Sequence, residues 1–332
     1  MSGRMRRERK VTMRVVYMGT PEIAAKVLEA VHELPVEIVG VWTQPDKPVG
    51  RKQVLTPPPV KVLAEQYGIP VYQPERIKRK AAVAELEALR PDLILVTAYG
   101  QLLSEKILNI PPLGCINMHA SLLPKYRGAA PIQWVIVNGE KETGVTAMMM
   151  DKGMDTGDML IKRTVAIAED DTAETLYDKL AEEGGMLIKE VVSRLLAGET
   201  LPREKQNDDE ATYAPIIQKE HGLIDWSKGA CQIEQMVRGF YSWPCAYTML
   251  EDKKLTVLKA HVLSEEECEA LATSGVEVGS VLSEGLAGKR KKLLVHTGNG
   301  VLQIDQLQLQ GKKAMEADAF LRGCDLTGKK LG

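Results

Sequence analysis

"MRVVYMGTPEIAAKVLEAVHELPVEIVGVW", residues 13–42, decides the fold class. Residues 13–20 form a short apolar run ending in a glycine turn, and Pro21 then opens an amphipathic stretch to about His32. "VEIVGVW" (36–42) is a second apolar run. A run apolar at every position suits a strand covered on both faces, and proline suits the first turn of a helix. The unit therefore reads strand, tight turn, helix, strand.

The same alternation continues downstream. "KRKAAVAELEALR" (78–90) is a helix, "PDLILVTAYG" (91–100) a strand, "GCINMH" (114–119) a strand and "APIQWVIVN" (130–138) a helix. "GVTAMMMD" and "DMLIKRTVAI" read as strands, and residues 172–198 as one long amphipathic helix. Nearly continuous apolar strands separated by helices predict an α/β fold with a doubly wound, mostly parallel sheet. Residues 43–59, "TQPDKPVGRKQVLTPPP", carry too much proline for a helix or central strand and are expected to form a long loop.

After Gly198 the chain changes character. Residues 199–214 are polar and turn-rich, so the expected domains are 13–198, a linker at 199–214, and 215–332. The last part holds one helix (227–240) and five short β-like runs, at 246–251, 253–263, 276–284, 291–298 and 301–310. Five short strands with glycine-containing turns suggest a small OB-like barrel.

Bulk properties narrow the function classes. A 332-residue chain is long enough for two domains with a sizeable core, and its 44% apolar and 27% charged residues are ordinary for a soluble protein. The formal net charge of −2 means that any nucleic-acid binding must come from a local patch. Five scattered cysteines without a CxxC pair fit reduced thiols in the cytoplasm better than a disulfide or zinc framework. No apolar run approaches the length needed to span a bilayer. Residues 1–12 are basic and are left out of the fold.

The candidate chemistry lies in "INMHASLLPKYRGAAPIQW" (116–134). Residues two apart on a strand share a face, so Asn117 and His119 point to one spot at the strand's carboxyl end, where ligands sit in open α/β sheets. An amide and an imidazole can both donate to a developing oxyanion. Read alone, the pair fits a satisfied histidine at a strand end slightly better than a site. "DKGMDTGDML" (151–160) offers a carboxylate to orient the imidazole, as a triad acid does, with Asp151, Asp155 and Asp158 all open. No nucleophile is well placed, which suggests direct transfer between two bound substrates. The single glycine of "YMGTPEIA" falls short of a dinucleotide fingerprint, so no nicotinamide nucleotide is expected, and the acid spacing does not match a calcium loop.

Together these segments resemble the folate-dependent formyltransferases, whose shared core is Asn-x-His followed by a distant Asp. The resemblance implies Asn117, His119 and Asp155 as catalytic residues, and Ser121, Leu122, Leu123 and Pro124 as the folate site. It also implies 10-formyltetrahydrofolate as donor, with no metal. "GTPEIA", "TQPDKPVGRK", "TPPPVKVLAE", "VTAYGQLL", "DTAETLYDKL" and "GKKAM" extend the match from Met13 through the second domain. They are similar to the branch of the family whose acceptor is initiator methionyl-tRNA. In that branch the basic loop meets the tRNA, which implicates Arg51 with Lys47 and Lys52. A monomer with no membrane partner is expected. The competing readings are formyl transfer to another amine such as an amino-sugar nucleotide, a non-catalytic RNA-binding protein, and a dehydrogenase.

Overall fold

The computed structural model describes residues 12–50, 52–271, 273–282, 292–326 and 328–332. In chain order the elements are β1 (Arg14–Gly19), α1 (Glu22–His32), β2 (Glu37–Trp42), β3 (Lys47–Val49), β4 (Val54–Thr56), α2 (Pro59–Gln66), β5 (Val71–Tyr72) and α3 (Lys80–Ala88). Then come β6 (Leu93–Thr97), α4 (Glu105–Leu108), β7 (Cys115–His119), β8 (Arg127–Gly128), α5 (Pro131–Val137), β9 (Glu142–Met149), β10 (Met159–Ala166) and α6 (Ala173–Leu196). The chain ends with β11 (Tyr213–Ala214), α7 (Ala230–Gly239), β12 (Ala246–Leu250), β13 (Lys253–Val262), α8 (Glu265–Glu269), β14 (Leu293–His296), β15 (Val301–Leu309), β16 (Met315–Glu316) and α9 (Ala317–Gly323).

These elements form two compact units. One comprises the chain up to Arg127 with Gly144–Val165 and Asp178–Tyr213; the other comprises Gly128–Thr143, Ala166–Tyr177 and Ala214–Gly332.

The first unit is built on a seven-stranded sheet in the order β10-β9-β7-β6-β1-β2-β5. β1 is parallel to β2 and β6, β2 to β5, and β6 to β7, whereas β7 and β9 are antiparallel. The strand order reverses between β1 and β6, which makes their carboxyl ends the switch point of the sheet. β1 and β6 are buried at nearly every position, as their unbroken apolar runs require. α1 buries Ile23, Ala24, Val27, Leu28 and Val31, one helical stripe. Full burial of each larger side chain in that stripe contributes about 1.5–3 kcal/mol. Gly19 is needed for packing: a Cβ there would lie 2.6 Å from Ala24 Cβ and 2.9 Å from the Thr97 carbonyl oxygen. The single glycine of the first turn therefore lets helix and strand approach.

Within 43–59 the expected loop contains an antiparallel hairpin, β3–β4, pairing Lys47 with Thr56 and Val49 with Val54. Pro48 is the middle residue of β3, opposite Leu55, and is tolerated because both strands of a two-stranded ladder are edges.

The second unit holds an antiparallel sheet in the order β12-β13-β15-β14, with β16 paired to β15. Leu255, Val257, Leu302, Ile304 and Leu307 bury the inner face against Ile233 and Val237 of α7. Four of the five expected β runs are strands, but 276–284 is not. Gly279 takes φ +85°, and its neighbours Ser280 and Val281 make only single bridges, to Lys330 and Val295. The last two residues of that run lie outside the described residues. The fifth strand is instead Met315–Glu316.

Candidate active site

β7 ends the site's construction on one side. Asn117 and His119 both lie on this strand, register-paired with Met148 and Thr146 of β9, and Asn117 also pairs with Val96 of β6. Their two-residue spacing puts both side chains on one face, 9% and 6% exposed. Among the described residues, the Asn117 amide has no hydrogen-bond partner.

His119 is held from two directions. Its Nε2 donates to the Tyr126 carbonyl oxygen at 2.9 Å, because a carbonyl can only accept. Its Nδ1 faces Asp155 Oδ2 at 3.7 Å, beyond hydrogen-bond length but close enough for an ion pair when the ring is charged. Asp155 comes from the turn between β9 and β10 and takes φ +55°, a left-handed backbone uncommon for a residue with a side chain.

Residue chemistry alone leaves three acids open in that turn, with the resemblance implying Asp155, and the geometry distinguishes their surroundings. Asp151 is exposed, and its carboxylate accepts from Gly153 N at 2.9 Å and Thr156 Oγ1 at 2.7 Å, so it closes the turn. Asp158 contributes its carbonyl to Met149 N, a strand contact. Asp155 faces the imidazole. Gly157 allows the tight return: a Cβ there would lie 1.7 Å from the Met149 carbonyl oxygen.

The expected folate segment is less uniform than its sequence suggests. Ser121 is fully buried, its hydroxyl donating to the Lys125 carbonyl oxygen at 2.6 Å. Leu123 packs with Met148 and Met159 in a small core. Thr146 Oγ1 donates to the Ser121 carbonyl oxygen at 2.7 Å and accepts from Leu123 N at 3.2 Å, which fixes the turn. A flat ligand can therefore meet the partly exposed Leu122 and Pro124 and the main chain, while Ser121 and Leu123 shape the turn from within.

The basic hairpin has a well-built root. Asp46 accepts from Lys61 Nζ at 2.9 Å and Gln73 Nε2 at 2.7 Å. These partners hold its carboxyl below the usual carboxylate range, Gln73 first and Lys61 second. Gln73 also donates to the Gln44 carbonyl oxygen at 2.9 Å, and Gln44 Nε2 to that of Tyr99 at 3.1 Å. Beyond this root, Lys47 and Lys52 are exposed beside Val49, Val54 and Leu55, which are also open to solvent. Arg51 lies outside the described residues, as do Lys289, Arg290 and Lys291 of "KRKK" (289–292), a basic run of the second domain that adds positive charge to it.

Several contributors carried no sequence signal. Tyr126 acts through its carbonyl, and Gln206 sits in the polar stretch read as a linker. Gln206 is 5% exposed and donates from Nε2 to the carbonyl oxygens of Asp155 and Gly157, each at 2.8 Å. Side chains that act on main-chain atoms 49 and 51 residues away leave no local pattern. Among the described residues no group of three His, Cys, Asp or Glu side chains is placed to hold a metal ion. No helix among them is long and apolar enough to cross a membrane.

Two family models match the chain: "Formyl transferase" over residues 13–192 and "Formyl transferase, C-terminal domain" over residues 216–325. A protein of Geobacter metallireducens named methionyl-tRNA formyltransferase is 48% identical over 319 residues, covering 96% of this chain and 98% of that one. One of the same name from Citrifermentans bemidjiense is 49% identical over 314 residues, covering 95% and 94%. Among solved structures, an N-formyltransferase from Helicobacter canadensis in complex with folinic acid and dTDP-3-aminofucose shares the fold with a TM-score of 0.61. It is 20% identical and covers 88% of this chain and 99% of that one.

Proposed function

The chain belongs to the formyl transferase family in both its N- and C-terminal parts, and from that premise we propose that it formylates the α-amino group of methionyl-tRNA, with 10-formyltetrahydrofolate as donor. The observation that carries this reading is the 48% identity to a methionyl-tRNA formyltransferase along nearly the full length of both chains. The sugar-acceptor alternative has a relative of the same fold at 20% identity, which argues for shared architecture alone.

The reaction needs no covalent intermediate on the protein. An α-amino group has a pKa of roughly 7.7–8.0 in peptides, and a neighbouring ester lowers it, so a neutral nucleophile is present near pH 7. Its lone pair attacks the formyl carbon and forms the new C–N bond, while the formyl oxygen becomes an oxyanion. Collapse breaks the bond to the folate nitrogen, and the proton lost by the amine balances the one that nitrogen gains. The Asn117 amide, which has no protein partner among the described residues, is the first donor to the oxyanion. His119 supplies the second through Nδ1, the ring nitrogen with the looser contact, and Asp155 orients the ring and balances its charge. Ser121, Leu122, Leu123 and Pro124 form the folate turn.

The acceptor is met by Arg51, Lys47 and Lys52 of the hairpin loop. Residues 13–198 then form the catalytic domain, 199–214 a connecting segment, and 215–332 an OB-like tRNA-binding domain. The working unit is a single chain in the cytoplasm. Labelled formyl transfer from 10-formyltetrahydrofolate tests the reading directly. Initiator methionyl-tRNA is the expected acceptor, ahead of elongator methionyl-tRNA and amino-sugar nucleotides; formylation of an amino sugar in its place overturns the assignment.

A further inference from the structure

We propose that Gln206 is a positioning residue for the Asp155–His119 pair, an assignment that rests on reading this pair as part of the formyl-transfer site. Asp155 sits in a left-handed backbone, φ +55°, a region most L residues avoid and Asp visits chiefly in turns. Gln206 braces that turn. Its Nε2 donates to the Asp155 and Gly157 carbonyl oxygens, each at 2.8 Å, so two carbonyls two residues apart converge on one nitrogen and the turn is curled.

The orientation of that amide is itself determined. Arg127 Nε lies 2.9 Å from Gln206 Oε1, and a guanidinium has only donors, so the amide oxygen must face Arg127 and the nitrogen must face the carbonyls. Arg127 is 2% exposed, and its far nitrogen donates to Asp208 Oδ1 at 2.8 Å.

The same segment holds the other side of the imidazole. Thr212 Oγ1 accepts from Tyr126 N at 2.8 Å, and the Thr212 carbonyl oxygen accepts from Arg127 N at 2.9 Å. The Tyr126 carbonyl in turn accepts from His119 Nε2 at 2.9 Å. One stretch of chain, pinned at its start by the Met159–Glu204 bridge, therefore fixes both partners of His119. Gln206 sets where the carboxylate lies, and Thr212 sets where the carbonyl lies.

The test uses the full chain with Gln206→Glu, which keeps the length and the Arg127 contact but has no proton to give the two carbonyls when ionised. The expected result is a fall in kcat of about 10- to 100-fold, the range in which a small misplacement of a catalytic group shows, with KM for folate and methionyl-tRNA unchanged. The His119 ring signals in 15N-resolved NMR should move, and Gln206→Glu should lower kcat no further in an Asp155→Asn background. Wild-type kcat, unmoved ring signals, or a full multiplicative loss on top of Asp155→Asn each overturns the proposal. If Gln206→Glu does not fold by circular dichroism, Arg127→Lys, which removes the Nε contact and keeps the charge, is read by the same criteria. Absence of formyl transfer by the wild type would defeat the functional reading, whereas the His119 signals would still decide the positioning role.

Discussion

At the scale of single residues, the site depends on which polar atoms are left for a ligand. Asn117 and His119 were legible because a strand's period of two fixes a shared face, whatever surrounds it. Residue chemistry alone left Asp155 as one of three acids and the family resemblance singled it out, since its place depends on a left-handed turn and on a glutamine contact far along the chain. Replacing Asn117 or His119 with alanine is expected to lower kcat by about 10²–10³, the effect of removing one oxyanion donor, with little change in tRNA affinity. Single-turnover kinetics beside a tRNA binding isotherm checks this, and near-normal turnover in both variants excludes the assigned roles. Cys115 makes a different prediction. Burial pushes its thiol up to about 12, so at neutral pH it should resist alkylation in the folded chain while the exposed Cys231 reacts at once. The sign of the stability effect follows. Above the ordinary thiol range the unfolded chain ionises Cys115 and the folded chain does not, so the unfolded state binds fewer protons and stability falls as pH rises toward 12. A Cys115→Ala variant should lose this part of the alkaline slope in chemical denaturation measured across that window.

At the scale of elements, the first strand–turn–helix was readable because its packing is local: Gly19, Ala24 and Tyr17 meet within a few residues, with Tyr17 Oη donating to the Ala24 carbonyl oxygen at 2.6 Å. The hairpin in 43–59 was hidden behind its prolines, which suppress strand propensity without forbidding a short exposed ladder. The run at 276–284 failed for the opposite reason, because β-branched residues suggested a strand that Gly279 bends. The root of the hairpin now separates two effects. Lys47 and Lys52 are exposed and pair with no acid among the described residues, whereas Lys61 is engaged by Asp46. Lys47→Ala with Lys52→Ala should therefore raise KM for methionyl-tRNA by a factor of a few and leave KM for folate and the melting temperature unchanged. A rise in folate KM of the same size would remove the hairpin from acceptor binding.

At the scale of the whole molecule, a net charge of −2 conceals where the positive charge lies. In the second unit, Lys253 and Lys254 open β13, and Lys312 and Lys313 occupy the turn after β15. Gln310 N donates to the Lys254 carbonyl oxygen at 2.8 Å, and Lys254 N to Gln310 Oε1 at 3.1 Å, so antiparallel pairing brings all four lysines to one end of the sheet. Composition could not reveal this, because residues almost sixty apart share an end only through strand register. Lys254 lies 4.0 Å from the Tyr247 ring centroid, while Lys253, Lys312 and Lys313 are exposed. A polyanion that meets this end displaces counterions, and its affinity falls with salt in proportion to the phosphates neutralised. Replacing Lys253, Lys312 and Lys313 with glutamine should lower the slope of log affinity for methionyl-tRNA against log salt by about two to three, at roughly 0.7–0.9 per phosphate lost. Because all three lie in the second unit, whereas Asn117, His119 and Asp155 belong to the first, kcat at saturating tRNA should stay at the wild-type value. Binding isotherms at several salt concentrations decide the matter: an unchanged slope assigns tRNA affinity elsewhere, and a lower kcat at saturation shows that these lysines act on the reaction as well as on binding.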